Sequence, residues 1–82
     1  MEVIVTSKAL KQYNHLPKTE QTKIKKKLQI LEQNFQEGKK LSGENAELRS
    51  LQTWPYRIIY YIDYKHKKIY VITIAHRQGV YK

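Results

Sequence analysis

The 82-residue sequence has no cysteine. That absence removes a disulfide framework, a cysteine-ligated zinc site and a thiolate nucleophile. Glycine and proline number three and two, and no repeat, linker or low-complexity segment interrupts the chain. The longest apolar stretches, around 58–62 and 69–75, fall far short of the ~20 residues a membrane helix needs. The first residues, Met1-Glu2-Val3-Ile4-Val5, lack the basic region and apolar run of a signal peptide. Length sets a further bound. A chain this short buries only ~60% or slightly more of the surface its unfolded form exposes, which argues against large cofactor folds and deep interdomain sites. The expectation is one soluble, cytoplasmic domain spanning 1–82.

Acidic residues are the scarcest class that matters: seven, against sixteen lysines and arginines, for a net charge of +9. Hydrophobic residues at 40% and nine aromatics argue against disorder despite that charge. A folded, strongly basic small domain is suited to a polyanion, nucleic acid first among them. Lysine kept only for solubility is the plainer alternative.

Val3, Ile4 and Val5 read as a short strand. Thr6-Ser7 offers a helix N-cap, followed by Ala9, Leu10, Tyr13 and Leu16 at helical spacing. Pro17 ends this helix and suits the first turn of the next. From Lys18 to about Gln36, Ile24, Leu28, Leu31 and Phe35 recur at steps of four, three and four, a single apolar stripe. Gly38 is expected to cap its C-terminus. Leu41-Ser42-Gly43 reads as a loop and Leu48–Leu51 as a short strand. Tyr56–Tyr64 and Lys68–Ala75, rich in β-branched and aromatic residues, read as a hairpin around Lys65-His66-Lys67. Gly79 precedes a last short segment, Val80-Tyr81-Lys82. The order β-α-α-β-β-β implies an α+β fold, a helical hairpin packed on one face of a mostly antiparallel sheet.

Alternation sorts the hairpin's side chains. If Tyr64 pairs with Lys68, then Ile58 faces Ile74, Tyr60 faces Ile72 and Ile62 faces Tyr70, an apolar surface for the helix stripe. The other face pairs Arg57 with Ala75 and sets Arg77 one step beyond, over a floor of Thr73 and Ala75. A slip by one residue would bury arginine against isoleucine. Two guanidinium groups are thus expected to converge on the face away from the helices.

Lys40-Leu41-Ser42-Gly43, Glu47-Leu48-Arg49, Tyr56-Arg57-Ile58-Ile59-Tyr60 and His76-Arg77 with Val80-Tyr81 together resemble the RelE/ParE family of toxins from bacterial toxin–antitoxin pairs. The resemblance covers essentially the whole chain and implies one of two activities. RelE-like members cleave messenger RNA, typically in the ribosomal A site; ParE-like members do not cleave RNA but poison DNA gyrase. In the RelE-like branch the equivalents of Arg57, Arg77 and Tyr81 belong to the active site, and all three are present. That retention favours a ribosome-dependent endoribonuclease. The alternatives are a gyrase inhibitor or an inactive relative that only binds an antitoxin.

The chemistry suits these residues. RNA is cut when its own 2′-hydroxyl attacks the adjacent phosphorus, which needs a base, an acid and positive charge on the phosphorane. Arginine's planar fork binds phosphate oxygens bidentately and keeps its charge. Arg57 and Arg77 are expected to hold the phosphate, with Tyr81 stacking on a base or assisting proton transfer. RelE-like relatives often carry two lysines on the strand before the Tyr-Arg motif, where this chain has Leu48-Arg49-Ser50-Leu51, with Arg49 alone basic. An imidazole is a suitable general base, so His76 is the substitute candidate, although alternation directs it toward the helices. Arg49, Lys39 and Lys40 are expected to contact RNA phosphates, and Tyr61 a base. Tyr60 and Tyr70 are expected in the core.

The run Lys23, Lys25, Lys26, Lys27 reads as a solvated outer helix face, with ribosomal RNA as the alternative contact. Trp54-Pro55 reads as a packed turn or a base-stacking rim. His15 and His66 lie in connections without metal-ligand spacing, so no metal and no cofactor is expected. The partners the resemblance implies are mRNA, the ribosome and a cognate antitoxin whose acidic or amphipathic segment wraps the basic surface. No membrane partner is expected.

Overall fold

The computed structural model describes residues 1–42 and 47–76. Gly43, Arg77, Gly79, Val80, Tyr81 and Lys82 lie outside the described residues, so the readings that fall on them are not tested there. The elements are β1 (Glu2–Val5), α1 (Ser7–Asn14), α2 (Lys18–Gln33), β2 (Lys39–Ser42), β3 (Glu47–Thr53), β4 (Tyr56–Asp63) and β5 (Lys68–His76). They form a five-stranded sheet in the order β1-β5-β4-β3-β2. β1 runs parallel to β5 and every other pair is antiparallel. This is the expected α+β fold with one strand more than the sequence suggested. The segment read as a loop at Leu41-Ser42 belongs to β2, which has little strand propensity of its own and is ordered by pairing with β3.

Thr6 starts α1 as expected. Its extended backbone leaves the hydroxyl free to accept from the Ala9 amide at 3.4 Å while donating to the Val71 carbonyl at 2.7 Å. One side chain therefore both caps the helix and fastens it to β5. α2 stops at Gln33, earlier than its apolar stripe implied. Asn34 leaves the helical region, and its side-chain amide donates to Glu37 Oε1 at 3.0 Å, a local turn that competes with another helical turn. Gly38 is consequently no helix cap. The stripe still holds: Ile24 and Leu31 are fully buried, with Leu28 and Phe35 packed at the edge of the same core.

That core lies between the helices and the inner face of the sheet, where Leu51, Ile58, Tyr60, Ile62, Ile69, Val71 and Ile74 are buried. Each such side chain contributes roughly 1.5–3 kcal/mol through removal from water. The hairpin register departs from the expected one. Ile58 does face Ile74 and Arg57 does face Ala75, but Tyr60 pairs with Val71 and Ile62 with Ile69. A bulge leaves Ile72 without a β4 partner, and the connection lengthens to four residues between the paired Asp63 and Lys68. Tyr70 and Ile72 are therefore not core residues, whereas Val71 is. Among the described residues no helix is long and apolar enough to cross a membrane.

Candidate nucleic-acid interface

Because Ile58, Tyr60 and Ile62 point under the helices, alternation sends Arg57, Ile59 and Tyr61 to the opposite, outward face. The register then sets this face in rows. Arg57 has Gln52 on one side and Ala75 on the other. Ile59 neighbours Ser50, which pairs in turn with Lys39 on β2. Beside these rows runs a groove of about 530 Å³, bordered by Lys27 of α2, Glu37 and Lys39, with Ser50, Gln52 and Arg57 among its lining. Three cations and one carboxylate surround a mixed lining in which Ser50 and Gln52 sit beside Leu41 and Leu51, and the cations suit a phosphate-bearing ligand. The expected floor is altered at one point. The Thr73 hydroxyl donates to Gln12 Oε1 at 3.0 Å, tying it to α1 at the open edge of β5.

The groove's rim is held from the inner face. Tyr60 is buried; its hydroxyl donates to the Phe35 carbonyl at 2.8 Å and accepts from the Gly38 amide at 2.9 Å. Burial raises the Tyr60 phenol above its ordinary pKa, which keeps it a donor. Arg49 grips the same loop, donating to the carbonyls of Gly38 at 2.7 Å and Gln36 at 3.2 Å, and to Glu47 at 3.0 Å. Hydrogen bonding to Arg49, then to Tyr64, holds the Glu47 carboxyl below the usual carboxylate range. The bond to Glu47 raises the pKa of Arg49, and likewise that of Tyr64, whose hydroxyl donates to the same carboxylate. Lys40 completes the cluster, 3.7 Å from Glu47.

The candidate residues thus divide. Lys39, Arg57 and Tyr61 share the outward face. Arg49 and Lys40 pair with one another on the inner face, and Arg49, only 13% exposed, is engaged by the loop it fastens. His76 pairs with Tyr56 on the inner side, their rings edge-on at 5.4 Å, so it is not brought to Arg57. Arg77 and Tyr81 lie outside the described residues. The lysine run also splits, with Lys23, Lys25 and Lys26 exposed and Lys27 at the groove. Trp54, expected to pack in its turn, is 63% exposed. Sequence reasoning missed Gln52, and reads Lys27 only as one of a lysine run on the outer helix face, with ribosomal RNA as the alternative contact. Counting outward from the Trp54-Pro55 turn pairs Thr53 with Tyr56 and Gln52 with Arg57, a signal that was available. Among the described residues no three His, Asp or Glu side chains converge to hold a metal ion.

Comparison with known proteins agrees with the fold. Residues 3–81 match the model of a family described as the ParE toxin of the type II toxin–antitoxin system parDE. Among solved structures, the chain is similar to the archaeal RelE–RelB complex from Pyrococcus horikoshii, with TM-score 0.83 and 24% identity over 93% of each chain. It is also similar to the RelBE2 toxin–antitoxin complex from Mycobacterium tuberculosis, with TM-score 0.81 and 26% identity over 93% of this chain and 96% of that one. The isolated E. coli RelE toxin gives TM-score 0.74 and 25% identity over 92% and 82%. No curated protein sequence matches.

Proposed function

The chain belongs to the ParE toxin family of type II toxin–antitoxin systems, and from that premise we propose that it is a ribosome-dependent endoribonuclease that inhibits translation by cleaving mRNA. The observation that carries this reading is the outward Arg57 beside a groove bordered by Lys27 and Lys39, on a fold shared with RelE. In the proposed reaction the 2′-oxygen forms a bond to the adjacent phosphorus and the bond to the departing 5′-oxygen breaks. The 2′-hydroxyl proton goes to a base, and an acid protonates the leaving oxygen. Arg57, with Arg77, neutralises the charge that builds on the phosphorane. Tyr81 stacks or assists proton transfer. The outward positions of β3 are Leu48, Ser50 and Gln52, none of which titrates near neutrality, so charge stabilisation and positioning carry most of the rate. His76 is assigned to packing against Tyr56, and Arg49 and Lys40 to support of the rim.

A second reading, ParE-like inhibition of DNA gyrase, is favoured by the family model's description and by those same uncharged β3 positions. One pair of assays separates the two. In a translation extract the toxin should produce cleaved transcripts with mappable 5′ ends, while Arg57→Ala lowers cleavage by on the order of 10²–10³. Inhibited gyrase supercoiling with intact transcripts would instead establish the second reading. Under either, the partner is a cognate antitoxin that presents an acidic or amphipathic segment to the basic surface.

A further inference from the structure

The bulge at Ile72 turns Tyr70 outward. Unbroken alternation from Ile74 would carry Tyr70 beneath the helices, but with Ile72 unpaired, Ile69 and Val71 take the buried side instead. Tyr70 then stands directly across from Tyr61, with ring centroids 6.3 Å apart and planes inclined by 57°. The register extends the row to both flanks, with Ile4 of β1 beside Tyr70 and Leu48 of β3 beside Tyr61. All four side chains are half-buried, on the face opposite the two helices. Along β4 this row lies four residues from Arg57, about 13 Å at ~3.3 Å per residue.

We propose that Tyr61 and Tyr70 form a stacking platform for two unpaired bases of a single-stranded RNA whose backbone is held at Arg57 and Lys39. The proposal rests on the RNA-directed reading above. Aromatic rings on neighbouring strands of an open sheet can take successive bases whatever their identity, because every base has a π-face. A phosphate anchor alone fixes where the backbone sits. A second anchor about 13 Å away also fixes the direction in which the strand crosses the sheet, and keeps the intervening nucleotides extended. Charge supports the same path. Arg57 stands at the end of the face away from the tyrosines and Lys39 in the row between them, whereas beyond the tyrosines Lys68 is accompanied by Glu2 and Asp63. The strand therefore enters at the arginine and finishes on the rings. The cations beside the row favour RNA over a purely apolar protein segment.

Two probes test this on the full chain by fluorescence anisotropy at low salt: a short all-purine single-stranded RNA, and the same oligomer with two abasic positions. Tyr61→Ala and Tyr70→Ala should each weaken binding of the intact oligomer by about 5- to 150-fold. Tyr61→Phe and Tyr70→Phe should stay close to the parent, and the abasic oligomer should bind the unmodified protein as weakly as the alanine variants bind the intact one. The abasic comparison needs no variant, so it decides even if an alanine protein fails to fold. Alanine variants that bind like the parent while Arg57→Ala weakens binding would overturn the platform and leave the RNA reading standing. Loss of antitoxin binding with RNA affinity unchanged would also overturn it, assigning the row to a protein interface. An oligomer bound by none of the proteins overturns the platform as well, and transcript cleavage in the extract then judges the RNA reading separately.

Discussion

At the scale of single residues, the groove's rim depends on one close approach. A Cβ added at Gly38 would lie 2.8 Å from the Ser50 carbonyl oxygen and 2.8 Å from both Cε1 and the hydroxyl of Tyr60. Neither neighbour can retreat, since one is backbone in β3 and the other a buried ring in the core. Gly38→Ala should therefore lower stability by about 1–3 kcal/mol in urea unfolding, and a parent-like midpoint would show that the loop yields instead. Glu47 sets a pH dependence. Its folded pKa lies below its unfolded value, so its contribution is fully present above the ordinary glutamate pKa of about 4.3 and is lost as pH falls through the folded value. Glu47→Gln should unfold at lower urea than the parent at pH 7, with the difference closing in acid. Parallel curves from pH 7 to 3 would remove the carboxylate from the account. Arg49 looked like an RNA contact because a lone basic residue on a basic chain suggests phosphate. Its equal parity with Glu47 on the same strand was the visible hint that it serves the fold.

At the scale of elements, α1 acts as a cover for β5. β1 pairs with β5 only through Val71, and past that point Gln12 Oε1 accepts from the Ile74 amide at 2.7 Å and from the Thr73 hydroxyl at 3.0 Å. Gln12→Ala leaves both donors without that acceptor, at a cost of about 1–3 kcal/mol, and should accelerate hydrogen exchange at the Ile74 amide. Unchanged exchange there would mean that the edge is protected by other groups. The helices and the three longer strands were legible because their apolar spacing is imposed by burial. β2 was not, since Lys39-Lys40-Leu41-Ser42 is a strand only by virtue of its partner. The bulge was not legible either. Ile72 suits a strand as well as its neighbours do, and no local pattern marks it as the residue left unpaired against β4. Hence Arg57 and Tyr61, on β4, which carries no extra residue, were assigned to the correct face by alternation, while Tyr70, separated from Ile74 by the bulge in β5, was not.

At the scale of the whole molecule, the sheet has one face filled by the helices and one displayed, and the net charge of +9 bears on the displayed one through Arg57 and Lys39, with Lys27 of α2 on the far side of the groove. If those three cations meet phosphates, binding of single-stranded RNA should be governed by counterion release. The logarithm of affinity should then fall linearly with the logarithm of salt concentration, with a slope of about −0.7 per contact, or roughly −2 for three. Arg57→Ala should make the slope shallower by about 0.7, whereas Tyr61→Phe should leave it unchanged because the ring carries no charge. Lys23→Ala tests whether the exposed face of α2 shares the load, since Lys23 lies 3.5 Å from Glu20 and away from the groove. Its slope should match the parent's. A slope that drops equally for Lys23→Ala and Arg57→Ala would mean that the cationic surface acts as a diffuse field, with no phosphate path across the sheet.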